Sequence, residues 1–265
     1  MIYRQQIKRS DACILRKISM KVLIIPDVHL KPWMFSDAEE ILKEYPVDQI
    51  VSLGDLVDDW NCQDNAEIYQ KTLNAARQFN HDHYGTCWCY GNHDLAYLWD
   101  YHCSGKSWDP KIQCEVKRDL VSLYNEAKDS GYVITIDHVF FSHGGISDDF
   151  VNEHFEKNLR DDETVGWLIN EFPPRGMWLD DSPLWLRPQE EINGYKVKMY
   201  RPGKYFQVVG HTPMKRITQE SHLLTCDVFS TLQNGKPFGT QEFCLFDTET
   251  WQWKGIKAPS CRKEN

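Results

Sequence analysis

Five times along this chain an apolar, strand-like run stops at a glycine or proline turn that carries a carboxylate, an imidazole or a carboxamide. Val22-Leu23-Ile24-Ile25 leads into Asp27-Val28-His29, and Ile50-Val51-Ser52-Leu53 into Gly54-Asp55-Leu56-Val57-Asp58. Thr86–Tyr90 leads into Gly91-Asn92-His93-Asp94, Val139–Ser142 into His143-Gly144-Gly145, and Tyr205–Val209 into Gly210-His211-Thr212-Pro213. Alone, each segment is ordinary. Gly-Asp is first of all a turn dipeptide, and a single histidine more often satisfies a core hydrogen bond than holds a ligand. Together they constrain the fold, because open α/β sheets gather the residues beyond their strand ends into one ligand-binding crevice.

The intervening sequence has helical spacing. Helices are predicted over 36–44, 64–80, 95–102 and 112–128, with Ser36 capping the first and Glu39 and Glu40 in its first turn. In the second, Ala66, Ile68, Tyr69, Leu73, Ala76 and Phe79 share a face. Strands separated by helices imply right-handed crossovers and a mostly parallel sheet, an α/β class. Tyr132–Ile136 and Val139–Ser142 flank Asp137-His138 as a hairpin. The stretch 148–205 is irregular, rich in proline and tryptophan, and reads as a cap-like insertion. His222–Asp227, Glu242–Phe246 and Trp251–Lys254 read as closing strands. Residues 1–19 form a basic, poorly patterned extension, with Met20 a natural start. A single domain is expected over 20–265.

Bulk properties narrow the partners. A formal charge of −9 without a basic stripe disfavours a general nucleic-acid binder. No apolar run is long enough to cross a bilayer, no secretory signal opens the chain, and the nine scattered cysteines read as reduced thiols. A cytoplasmic protein is expected.

The strand-end residues carry the chemistry. Asp27, His29, Asp55, Asn92, His143 and His211 combine carboxylate, imidazole and amide oxygen, a set suited to Mn²⁺, Fe or Zn²⁺ and too rich in nitrogen for calcium. Six groups exceed what one catalytic ion takes while keeping an open position, so two divalent ions are expected. Asp27 and His29 can reach one ion from a single turn, and Asn92, His143 and His211 the other, with Asp55 as the bridge. Water or hydroxide shared between the ions is then the nucleophile. His93 and Asp58 remain for acid catalysis: Asp58 can fix the tautomer of His93 and raise its pKa, and protonated His93 can serve the leaving oxygen.

The five segments, in this order, resemble the motifs of the calcineurin-like metallophosphoesterases. Ser142-His143-Gly144-Gly145-Ile146-Ser147, Leu184-Trp185-Leu186-Arg187 and Gly210-His211-Thr212-Pro213 are similar to the phosphoprotein phosphatase branch, its bacterial members and the related diadenosine tetraphosphatases. The resemblance implies a β-sandwich flanked by helices, and hydrolysis of a phosphoester by metal-bound water. Two positions depart from it. Pro213 stands where many relatives have a second histidine, so the ion at Asp27 and His29 completes its shell with Asp55 and water. Asp59 stands where the branch has a phosphate-gripping arginine, which leaves Arg187 as the motif-matched clamp. The leading expectation is a phosphomonoesterase acting on a protein or small molecule. The alternative is a phosphodiesterase or dinucleoside polyphosphate hydrolase with the same metals; a non-enzymatic scaffold fits poorly with intact His93, Asp55 and Asp58. Trp99, Trp178 and Trp185 are candidates for a cleft wall but more readily for packing. Lys196, Lys198, Arg201 and Lys204 read as a solvated basic face.

Overall fold

Val22, Leu23, Ile24 and Ile25 are all closed to solvent, as a strand covered on both faces must be. The computed structural model describes residues 19–155, 161 and 164–264. The predicted extension, Ser19 apart, lies outside them. The strands are β1 (Lys21–Ile25), β2 (Gln49–Ser52), β3 (Cys87–Cys89), β4 (Asp129–Gly131), β5 (Val133–Ile136), β6 (Val139–Ser142), β7 (Phe206–Val209), β8 (Thr218–Glu220), β9 (Leu223–Thr225), β10 (Glu242–Asp247) and β11 (Trp253–Lys257). They form two sheets, ordered β11-β10-β1-β2-β3-β4 and β5-β6-β7-β9-β8. Strands β1 to β4 run parallel, and so do β6, β7 and β9, whereas β10, β11, β5 and β8 pair antiparallel at the margins.

The two sheets stack as the expected sandwich, with helices outside. Residues of α1 (Trp33–Glu44), α2 (Ala66–Asp82) and α4 (Pro110–Glu126) join the core of the first sheet; α3 (Asn92–Leu98) lies beside the crevice. The period of two is visible in β6: Phe141 points into the core shared by the sheets, and Phe140 into a second cluster with Phe150, Val165, Ile169 and Tyr205. Helices α5 (Asp148–Phe155), α6 (Val165–Asn170) and α7 (Pro174–Met177) supply that outer layer, and α8 (Glu190–Asn193) follows. Each fully buried Val, Leu, Ile or Phe stabilises this arrangement by about 1.5–3 kcal/mol.

The start of the first helix needs correction, and the sheets add two features that no local pattern announces. Helix α1 starts at Trp33, because Pro32 already has helical angles; Ser36 sits inside the helix and caps nothing. Strands β4 and β8 carry no apolar run that would announce them, and pairing with their neighbours creates them. The first sheet gains an antiparallel edge from the C-terminal strands. The predicted hairpin is present, with Val133 opposite Ser142 and Ile136 opposite Val139. Among the described residues no helix is long and apolar enough to cross a membrane, and all eight described cysteines are free.

Candidate metal centre

The turns after β1 and β2 are stitched together through their backbones, and the turn after β3 joins them through the His93 N–H, which donates to the Asp55 Oδ1 at 2.9 Å. The N–H groups of Val28 and His29 both donate to the Asp55 carbonyl, at 3.0 and 2.8 Å, and Leu30 N–H donates to Leu56 at 3.0 Å. Glycine is required where these turns touch. A Cβ on Gly54, whose φ is +91°, would lie 2.8 Å from the Gly91 Cα, and one on Gly91 would collide with the Asp55 Oδ1. On the other sheet a Cβ on Gly210 would collide with the Asp27 Oδ1. His29, Leu30, Asp55, Asp58 and His211 are non-glycine residues in the left-handed region here, at φ 44, 58, 49, 64 and 62°. Such conformations cost about 1–3 kcal/mol each and concentrate at functional sites.

These turns bring all six predicted ligands together. Asp27, His29 and Asp55 offer ligand atoms that all lie within 4.8 Å of one another, and so do Asp55, His143 and His211. The two triads share Asp55. Asn92 joins the second, its Oδ1 2.8 Å from the His143 Nε2, which is also 3.2 Å from the Asp55 Oδ2. Each imidazole is oriented from behind. His29 Nδ1–H donates to the Asp58 carbonyl at 2.8 Å, His143 Nδ1–H to the Leu53 carbonyl at 2.9 Å, and His211 Nε2–H to the Trp185 carbonyl at 3.1 Å. That leaves Nε2 of His29, Nε2 of His143 and Nδ1 of His211 as candidate ligand atoms, in the outer-sphere arrangement metal-binding histidines use. The Asn92 amide donates to Cys103 Sγ at 3.5 Å, which turns its oxygen inward.

The electrostatics fit cations. The Asp27 Oδ1 is buried with no hydrogen-bond partner among the described residues. Burial and the neighbouring Asp227 charge push the Asp27 carboxyl well above its ordinary range. Burial works against ionisation of Asp55 too, but His143 and His93 outweigh it and hold Asp55 well below that range. Burial would lower His143; the charge and hydrogen bond of Asp55 prevail and raise it to about 9. Burial lowers His29 and His211, keeping both neutral as ligation requires.

His93 and Asp58 stand at the rim. His93 Nδ1–H donates to the Asp58 Oδ2 at 3.0 Å, so Nε2 is left to the cleft that His93 lines. Asp58 is held in turn by the hydroxyls of Tyr69 and Tyr97, at 2.6 and 2.7 Å from its Oδ1. Burial opposes a charge on His93, yet Asp55, the Asp58 hydrogen bond and Cys103 together raise its pKa well above normal. Arg187 reaches the same cleft, because the 183–186 segment lies directly on Gly144; the Gly144 N–H donates to the Pro183 carbonyl at 2.6 Å, and the Arg187 Nη1 to the His211 carbonyl at 2.6 Å. Asp59 accepts from Lys31 Nζ at 3.0 Å and from Thr231 Oγ1 at 2.9 Å, fastening the 58–60 turn to the loop after β9. The cleft has a volume of about 440 Å³, and Trp60, Leu232 and Phe238 make its apolar wall. Trp99, Trp178 and Trp185 instead pack on one another, with centroids 5.7 and 5.0 Å apart, and Trp185 backs His211. None of Lys196, Lys198, Arg201 and Lys204 lines the cleft.

Sequence reasoning passed over Cys103, Tyr69, Tyr97, Asp94 and Asp227. Asp94 accepts from the Leu56 N–H at 2.9 Å and from the Tyr124 hydroxyl at 2.9 Å, bracing the Asp55 turn. Asp227 ends a strand-like run as Asp27 does, a signal that was present in the sequence.

No curated protein matches the sequence. Among solved structures, a protein serine/threonine phosphatase of Saccharomyces cerevisiae superposes with a TM-score of 0.52 at 13% identity, over 90% of this chain and 80% of that one. A metallophosphoesterase of Sphaerobacter thermophilus gives 0.46 at 15% identity, over 92% and 91%. The family model for calcineurin-like phosphoesterases matches residues 20–239. With two stacked sheets and clustered aspartates and histidines at their strand ends, the chain belongs to the calcineurin-like phosphoesterases, a family of metal-dependent hydrolases.

Proposed function

We propose that the protein hydrolyses a phosphomonoester, on a protein or a small molecule, with two divalent ions of Mn, Fe or Zn held by Asp27, His29, Asp55, Asn92, His143 and His211. The observation that carries this reading is the overlap of two ligand triads on Asp55, with the His93–Asp58 pair on the rim beside them. When bound, such a pair of ions lowers the pKa of water and withdraws charge from the phosphoryl oxygens. The chain supplies the rest. Arg187 neutralises a phosphoryl oxygen at the mouth of the site. Nε2 of His93 gives its proton to the leaving oxygen as the P–O bond breaks, and regains one from solvent through the open cleft. Asp58 keeps the His93 ring in the tautomer that permits this, and the two tyrosines keep Asp58 in place. Buried free thiols support a reducing, cytoplasmic setting.

One observation favours a second reading. Among the described residues the cleft carries a single arginine, and the acid Asp59 lines it as well; a phosphodiester or a dinucleoside polyphosphate presents less charge at the scissile phosphorus than a monoester dianion. Rates on p-nitrophenyl phosphate and bis(p-nitrophenyl) phosphate, after reconstitution with each of the three metals, decide between them. Higher kcat/KM on the monoester is expected. Dominance of the diester would replace the first reading with the second, and no turnover on either by protein carrying both ions would sink both.

A further inference from the structure

Six parallel strands point their carboxyl ends at this centre. From the first sheet β1 delivers Asp27 and His29, β2 delivers Asp55 and β3 delivers Asn92; from the second, β6 delivers His143 and β7 delivers His211. The sixth is β9, paired in parallel with β7 so that Val209 lies opposite Thr225. Beyond Thr225 comes Asp227, as far past its strand as Asp27 and His211 are past theirs. The placement is enforced by backbone bonds across the two turns: Cys226 N–H donates to the Val209 carbonyl at 2.8 Å, and Met214 N–H to the Asp227 carbonyl at 2.8 Å.

The Asp227 side chain lines the cleft with His29, Asp55 and His211, although only 1% of the residue is exposed. A buried carboxylate with a purely structural role is surrounded by donors. Asp227 has, among the described residues, one side-chain donor: the Ser230 hydroxyl, whose single proton is shared between Oδ1 and Oδ2, each 3.0 Å away. A carboxylate has roughly four acceptor sites, so the described residues leave this one far from satisfied. Pro213, which also lines the cleft, stands two residues after His211, where the resemblance to the phosphoesterases would place a second histidine, and proline has no donor atom in its side chain.

We propose that Asp227 is an outer-sphere member of the metal centre: it accepts the hydrogen bond of a water that takes the position at the Asp27–His29 ion for which Pro213 provides no side chain. This assignment rests on the two-ion reading above. Asp227 is a positioning residue, acting on the ion through that water, and Ser230 orients the carboxylate for it. Losing such an outer partner typically costs 10- to 100-fold in metal affinity.

Calorimetric titration of Mn²⁺ into the metal-free chain, with circular dichroism to verify folding, tests this in wild type, Asp227→Asn and Asp227→Ser. Wild type taking up two ions is expected, and both variants should retain one at unchanged affinity while the other weakens by about 10- to 100-fold. Wild-type affinities at both sites in either folded variant would overturn the assignment. So would intact metal binding combined with weaker inhibition by inorganic phosphate, which would make Asp227 a counter-ion of Arg187. A wild-type chain that binds fewer than two ions would overturn the two-ion reading and this assignment with it. Crystals of the unaltered chain grown with Mn²⁺ are independent of any substitution: an Asp227 oxygen hydrogen-bonded to a water on the Asp27–His29 anomalous peak supports the assignment, and one turned away from it refutes it.

Discussion

Replacing Asp58 with asparagine isolates the acid chemistry from everything else in the site. Asparagine tolerates the left-handed backbone at this position, φ +64°, and keeps the carbonyl that orients His29. Its amide oxygen can still accept from Tyr69 and Tyr97, so its nitrogen turns toward His93. A donor then faces the Nδ1–H that formerly met the Asp58 Oδ2 at 3.0 Å. The ring must expose a lone pair there instead, and the protonated state loses its partner. A hydrogen bond between buried charged groups contributes about 1.5–3 kcal/mol, and 1.36 kcal/mol corresponds to tenfold. The expected loss in kcat is therefore about tenfold to a hundredfold. The sign in pH follows. In the proposed reaction His93 works in its protonated form, and its pKa lies well above the ordinary imidazole value; activity should be full below that pKa and fall as pH rises through it. Asp58→Asn moves this basic limb to lower pH. The diagnostic assay compares an alkyl phosphate, whose leaving oxygen needs a proton, with an aryl phosphate bearing a nitro group, whose leaving oxygen does not. The alkyl ester should suffer the full loss and the aryl ester little, at unchanged metal content. Equal losses on both, or a basic limb that does not move, would show that His93 is not the acid.

Other consequences concern the remaining charges. In the metal-free chain His143, raised to about 9, carries a proton at neutral pH that an ion must displace; Mn²⁺ binding should release about one proton, seen as a dependence of the calorimetric heat on buffer ionisation, and its apparent affinity should climb toward pH 9 and then level off. Arg187→Ala should raise KM and weaken inhibition by inorganic phosphate by about tenfold, from the loss of charge-assisted hydrogen bonds, with kcat and metal content nearly unchanged; unaltered phosphate inhibition would remove Arg187 from the clamp. Asp94 is raised to about 7, by burial first and then by Asp55. Between the ordinary carboxyl range and pH 7 the native metal-free chain holds a proton that the unfolded chain has released, so stability falls as pH rises across that window. Asp94→Asn, which can keep both the Leu56 and Tyr124 contacts, should flatten that slope in denaturation midpoints measured from pH 5 to 8.

Legibility followed distance along the chain. Apolar runs broken by glycine turns are local, and so the ends of β1, β2, β3, β6 and β7 could be placed from sequence within a residue or two. Helix α1 was misplaced at its start because a proline with helical angles needs no side-chain cap. The short strands β4 and β8 were invisible, since their partners and not their residues make them strands. Asp227 carried a strand-end signature like that of Asp27, but with no glycine, histidine or asparagine beside it the pattern reads it as the last residue of a strand over 222–227, whereas β9 ends at Thr225.

The sequence by itself determined which chemical groups stand just past the strands, and that glycine must accompany them. It did so because both properties reside in single residues and their immediate neighbours. Only the tertiary structure decided that the two sets of strand ends meet face to face, that the Trp185 and Leu53 carbonyls engage one ring nitrogen each of His211 and His143 and so select the other as the candidate ligand, and that the 183–186 segment lies on Gly144 and carries Arg187 to the cleft. Those outcomes depend on packing between segments far apart along the chain, and no local pattern encodes a contact whose other half lies a hundred residues away.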